Sequence, residues 1–173
     1  MAEAPHQTRQ AEAQYTKAKN AALRLLAHRP RSEAEVRRRL QDRFSGEAID
    51  QTLADLRRQG LLDDAAFARQ WREQRERFRP RGPGLIRQEL RRLGVDRDVI
   101  REALSGFDAA ANAYRAGLKY AAKLSVEDSA AFRRKLGGFL HRRGFDGEVL
   151  GQTVERLRRE LFDPLHGSVD ADG

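Results

Sequence analysis

No cysteine occurs anywhere in the chain, which excludes disulfides, thiolate metal ligands and a Cys nucleophile together. The same absence fits a reducing compartment, and a cytoplasmic protein is expected. Long apolar runs are missing too. Nothing approaches the eighteen residues of a membrane span, and the one apolar stretch near the start, Ala21 to Ala27, is broken by Arg24, so neither a membrane anchor nor a signal-peptide core is expected. Aromatic residues make up 7% of the chain, and Leu, Ile, Val and Phe together number 38 of 173 residues. So thin a supply of core residues folds only if they are placed with strict periodicity. Catalytic signatures are lacking as well: there is no G-x-x-x-x-G-K-[ST], G-x-S-x-G or H-E-x-x-H. His6, His28, His141 and His166 form no i, i+4 pair, so no metal site or cofactor is expected and an enzyme is the least favoured class.

What the chain has is positive charge. The net charge is +8, with 34 Lys and Arg against 26 Asp and Glu. Arginine outnumbers lysine 29 to 5. Guanidinium forks match phosphates and carboxylates, so the excess suits a polyanion or an acidic protein surface, although a GC-rich genome yields the same bias.

The apolar residues are periodic on two scales. At helical spacing they mark nine helices, with no convincing period-two stretch, so the fold class is all-α. At a larger scale one pattern recurs three times, offset by fifty or fifty-one residues: Val36, Leu40, Phe44, Ile49, Leu53; then Ile86, Leu90, Val95, Ile100, Leu104; then Leu136, Leu140, Phe145, Leu150, Val154. Three tandem three-helix repeats forming an elongated, curved body are expected. The divisions fall at 11–62, 63–106 and 107–162, between mobile tails at 1–10 and an acidic 163–173.

Within this frame the expected helices run from Glu12 to His28, Ser32 to Arg43, Gly46 to Gln59, Asp64 to Phe78, Leu85 to Leu93, Asp96 to Leu104, Phe107 to Leu124, Asp128 to Arg143 and Asp146 to Leu161. Ser32 and Glu35 form a capping-box signature. Gly60 ends a helix, Leu61 and Leu62 are expected to plug the seam after it, and an Asp caps the next helix. Asp63 and Asp64 could also be imagined around a divalent ion, but capping explains them. Gly94 and Gly144 each precede an apolar plug and an acidic cap, whereas the turn Asp42-Arg43-Phe44-Ser45 has no glycine, so a strained or different corner is expected there. Gly137-Gly138 lies inside an expected helix, at a cost of about 1 kcal/mol per glycine relative to alanine.

Several phrases together resemble the RecX family, bacterial regulators of the recombinase RecA. They are Ala22-Leu23-Arg24-Leu25-Leu26 with the segment from Arg31 to Leu40, the segment from Gly60 to Ala68, and Gly82 followed by Ile86, Glu89-Leu90 and Gly94-Val95. The resemblance covers about Ala21 to Leu161. It implies a non-enzymatic protein, expected as a monomer, lodged in the helical groove of the RecA filament on single-stranded DNA. Inhibition of RecA's ATPase, strand exchange and co-protease roles would follow, and with it control of recombination, DNA repair and the SOS response.

From Arg69 to Arg92 there are nine arginines and three glutamates. Phe67, Trp71, Phe78, Ile86 and Leu90 are assigned to the core face, which leaves Arg69, Arg72, Arg79, Arg81, Arg87 and Arg91 as a candidate stripe for RecA or for single- or double-stranded DNA. Arg37, Arg38 and Arg39 mark a second patch, and Arg133, Arg134 and Lys135, with Arg142 and Arg143, a third. In each basic triplet one member is expected along the core edge. Three modest patches on linked repeats would act multivalently. The competing reading of each is a solvated face with helix ion pairs such as Glu73 with Arg77. Trp71 could stack a base, but its place in the apolar stripe makes it a core residue. Two other functions stay open: a helix-turn-helix-like reader of bare duplex DNA, and a helical adaptor for an acidic protein surface.

Overall fold

The computed structural model describes residues 4–124 and 128–162, so the expected acidic tail lies outside the described residues. Among these residues there are nine helices and no strand. They are α1 (Ala4–His28), α2 (Glu33–Leu40), α3 (Gly46–Arg58), α4 (Asp64–Phe78), α5 (Pro83–Arg92), α6 (Arg97–Ala103), α7 (Ala109–Ala121), α8 (Ser129–Arg142) and α9 (Gly147–Phe162). The first helix starts at Ala4 rather than Glu12. Residues Gln7 to Ala13 are exposed and gain no burial, but Ala, Gln, Arg and Glu are strong helix formers and Pro5 sits in the first turn, where a missing N–H costs nothing.

Packing divides the chain into two compact units, residues 1–70 with 90–103, and residues 71–89 with 104–173. The helices of the expected middle repeat, α4 to α6, therefore contribute to both. In the first unit Ala21 and Ala22 of α1 meet Val36, Leu40, Ile49, Leu53, Leu56 and Leu62 in one apolar cluster. Each fully buried Leu or Val contributes roughly 1.5–3 kcal/mol relative to an exposed one. Capping directs the chain into this cluster. The Ser32 hydroxyl accepts the Glu35 N–H at 3.2 Å, and the Glu35 carboxylate accepts the Ser32 N–H at 3.3 Å. Ser45 caps α3 through the Ala48 N–H.

The corner without a glycine closes without backbone strain. The Leu40 carbonyl accepts N–H groups from Arg43 and Phe44 at 3.0 and 3.1 Å, and no non-glycine residue among those described has positive φ. Gly60, at φ +68°, ends the segment after α3 as expected. The following leucines divide: Leu62 is buried, whereas Leu61 is 48% exposed and plugs nothing. Alternation after a left-handed glycine sends only one of two neighbours inward.

In the second unit α7, α8 and α9 enclose Ala113, Phe132, Leu136, Leu140, Phe145, Val154 and Leu157. Asp108 and Asp128 cap α7 and α8 through backbone N–H groups at 2.9 to 3.1 Å. Helix α8 runs unbroken through Gly137 and Gly138.

One joint occurs once in each unit at equivalent repeat positions. In the first, Ser32 Oγ donates to the Leu93 carbonyl at 2.5 Å, and a Cβ on Gly94 would overlap the Ala34 side chain. In the second, the Gly82 N–H donates to the Arg143 carbonyl at 2.7 Å, and a Cβ on Gly144 would overlap Leu85. Gly94 and Gly144 both stand at φ above +80°, a left-handed conformation that glycine adopts without a steric penalty. These glycines thus serve two needs, the turn and the close approach of a neighbouring helix start.

Candidate nucleic-acid interface

The second unit builds its basic corner around one carboxylate. Glu89 of α5 accepts Trp71 Nε1–H at 2.7 Å and Arg75 Nε–H at 2.9 Å, and it pairs with the Arg81 guanidinium. Arg75 also lies 4.2 Å from the centre of the Trp71 ring. The indole, assigned from its spacing to the core, is only half-buried and is held at the edge of the packing by its N–H. Arg81, expected on the solvent stripe, instead turns inward to Glu89 with a side chain only 26% exposed. Burial, and then repulsion from Arg75, Arg143 and Arg79, pulls its pKa below the usual arginine value. The linker therefore gathers Arg75, Arg79, Arg81 and Arg143 into one cationic cluster.

Arg72 also departs from expectation. It donates to the Ser105 carbonyl at 2.9 Å, pairs with Glu76 at 3.4 Å and lies 5.4 Å from the Phe107 ring centre, fastening the approach to α7. Arg37 is exposed but pairs with Asp50 at 2.7 Å. Arg38, Arg69, Arg79, Arg87, Arg91, Arg133, Arg134 and Arg142 are exposed and form no ion pair with a described residue. In both triplets, Arg37 to Arg39 and Arg133 to Lys135, every member is exposed. The pair expected of Glu73 and Arg77 is not formed; Arg77 lies 5.3 Å from the Phe78 ring centre instead.

Both adjacent aspartates are occupied by backbone. Asp63 Oδ1 accepts the Ala66 N–H, capping α4, and Asp64 Oδ1 accepts the Glu33 N–H at the start of α2, each at 2.9 Å. Burial pushes the Asp64 carboxyl pKa up. No cluster of His, Cys, Asp and Glu among the described residues could hold a metal ion.

Phe78 corrects the reading of α4. Its spacing from Phe67 and Trp71 assigns it to the core, yet it is 66% exposed, because the helix ends there and no described residue buries its ring. With Pro80, Tyr120 and Phe139 it lines an open groove of about 420 Å³. Tyr120 and Phe139 stack in parallel with centroids 4.0 Å apart, and Arg143 lies 5.0 Å from the Phe139 centre. Arg79, Lys119, Lys123 and Arg143 supply the cations along the groove, and none of its described lining residues is acidic. Sequence reasoning missed Lys119, Tyr120 and Lys123. The available signal was two lysines one helical turn apart flanking a tyrosine, in a chain with only five lysines.

No helix among the described residues is long and apolar enough to cross a membrane. Residues 18–56 match the family model of the first three-helix domain of RecX, and residues 63–104 that of the second. The chain is 38% identical over 144 residues to Regulatory protein RecX of Chlorobium phaeobacteroides (strain BS1), covering 83% of this chain and 95% of that one. It is 37% identical over 150 residues to Regulatory protein RecX of Mycobacterium avium (strain 104), covering 80% and 87%. A crystal structure of regulatory protein RecX superposes with a TM-score of 0.76 at 26% identity, over 90% of this chain and 78% of that one. The crystal structure of RecX from Lactobacillus salivarius shares the fold at a TM-score of 0.76 and 21% identity, covering 84% and 97%. Helical architecture, phrase order and identity over most of both chains agree: the chain belongs to the RecX family of regulatory proteins.

Proposed function

We propose that this protein is a non-enzymatic regulator of the RecA recombinase. It binds the RecA filament on single-stranded DNA within the helical groove, and inhibits ATP hydrolysis, strand exchange and co-protease activity, thereby modulating recombination and the SOS response. The observation that carries the reading is identity of more than a third to proteins named Regulatory protein RecX across most of both chains. Support comes from exposed arginines on α2, α4, α5 and α8 that form no ion pair with a described residue, which suits a partner rich in phosphate. The protein acts as a cytoplasmic monomer. The test is RecA's DNA-dependent ATP hydrolysis with substoichiometric amounts of this protein. Suppressed hydrolysis and shortened filament lifetime are expected; unchanged values for both would sink the reading.

A second reading, DNA binding without RecA, draws on the same unpaired arginines. It predicts retention on bare duplex with strong salt dependence and no effect on RecA at salt concentrations that abolish that retention.

A further inference from the structure

We propose that the groove between the end of α4, helix α7 and the end of α8 is a seat for single-stranded nucleic acid, with a base against the aromatic wall and its flanking phosphates on the cations. The proposal deepens the reading above and rests on its nucleic-acid part. Four observations carry it. Phe78 is a large aromatic side chain left 66% exposed in a chain with few aromatics to spare. Nothing in the first-order packing of the core requires it there.

Across the groove Tyr120 and Phe139 are already stacked face to face, and Arg143 lies against the Phe139 ring. Such a pile of flat groups extends naturally by one more flat group. Every nucleobase has a π face, so the wall accepts bases without regard to sequence.

The charge is of one sign. Arg79, Lys119, Lys123 and Arg143 line the groove, and among the described residues no carboxylate does. Lys119, in the last turn of α7, and Lys123, just past its C-cap Ala122, are both exposed and four residues apart, so they can meet neighbouring anionic groups of one strand. The volume, about 420 Å³, lies within the range of small-ligand sites, and the groove opens to solvent.

An acidic peptide would satisfy the cations. It would leave the aromatic wall unexplained unless it also carried an aromatic residue at one position. A nucleotide supplies the flat ring and the anion in every unit, which is why the strand is the favoured occupant.

The test uses the full chain and a fluorescently labelled oligothymidylate, read by anisotropy. Phe78→Ala is expected to weaken binding about tenfold, with unchanged helicity because the side chain is exposed, and Phe78→Trp to restore it. Replacing Lys119 and Lys123 together by Gln should flatten the slope of log affinity against log salt by about 1.4. Full affinity in Phe78→Ala would overturn the proposal. So would Phe78-dependent binding of polyglutamate combined with Phe78-independent binding of the oligonucleotide. The RecA reading stands or falls separately: inhibition of ATP hydrolysis by the wild-type protein survives a negative result here, and Phe78-dependent oligonucleotide binding survives a negative result with RecA.

Discussion

Asp64 Oδ1 accepts the backbone N–H of Glu33 at 2.9 Å, so the first residue of α4 caps the start of α2, thirty-one residues earlier in the chain. The carboxylate is partly buried, and burial, with the nearby Glu33, Asp63 and Glu35 charges, raises its pKa against the opposing effect of that N–H. A raised carboxyl pKa penalises the folded state fully above the folded value, and the penalty fades as pH falls from there towards the unfolded one and is gone below it. Asp64→Ala should cost about 1 kcal/mol through the lost cap. Asp64→Asn keeps an acceptor without the charge, so it should match or exceed the wild type at pH 7 and lose that advantage on acidification. Thermal unfolding of the three proteins at neutral and acidic pH checks both.

Asp55 behaves in the opposite sense. Hydrogen bonds from Lys19, Tyr15 and Arg58 hold its carboxyl far below the usual carboxylate range, and the same contact raises Lys19. A depressed folded pKa gives stability that is complete above the unfolded value, about 4, and is lost as pH falls through the folded one. For Lys19 the contribution is present below about 10.4 and is lost as pH rises through the folded pKa. The Tm difference between wild type and Asp55→Asn should therefore be widest near neutrality and shrink towards both extremes. A constant difference across the range would show that the contact stabilises by packing instead.

Gly82 and Gly46 offer a matched pair. A Cβ at Gly82 would drive into the Gly144 carbonyl oxygen, whereas at Gly46 it meets nothing within 4 Å. Gly82→Ala should destabilise by about 1–3 kcal/mol as the joint is forced open. Gly46→Ala, at the start of α3, should stabilise by about 0.4–1 kcal/mol by restricting the unfolded chain. Denaturant midpoints decide, and equal effects would mean that backbone freedom outweighs the steric conflict.

Arg79 and Arg81 lie two residues apart and should respond differently. Glu89→Ala, which removes the acceptor of Trp71 and the partner of Arg75 and Arg81, should cost about 1–3 kcal/mol and alter Trp71 fluorescence. Arg79→Gln touches an exposed cation, so its stability should stay within about 0.5 kcal/mol of wild type while affinity for a polyanion falls. Urea unfolding combined with anisotropy separates the two effects.

Legibility followed the range of the interaction. The Ser32 and Glu35 box, the Asp63 cap and the glycine turns depend on neighbours within four residues, and they stand where the sequence places them. Asp64 was also readable as a cap, but not as the cap of α2, because its partner is distant in sequence. The arginine stripe was legible as composition and misleading residue by residue: charge counting cannot show that Arg81 faces Glu89 or that Arg72 grips Ser105. Phe78 illustrates the limit of periodicity. Spacing defines a helical face, but only a neighbouring element decides whether that face is covered, and among the described residues none covers Phe78 at the end of α4.

The two equivalent joints, Ser32 on Leu93 and Gly82 on Arg143, use different donors, a hydroxyl and an amide, on the same acceptor, a peptide carbonyl. Seams made from paired side chains must change in concert or come apart as a duplicated segment drifts. A carbonyl belongs to every residue, so no substitution deletes it. The seam could thus be inherited while the residues displayed around it diverged, leaving each copy free to acquire its own set of exposed cations.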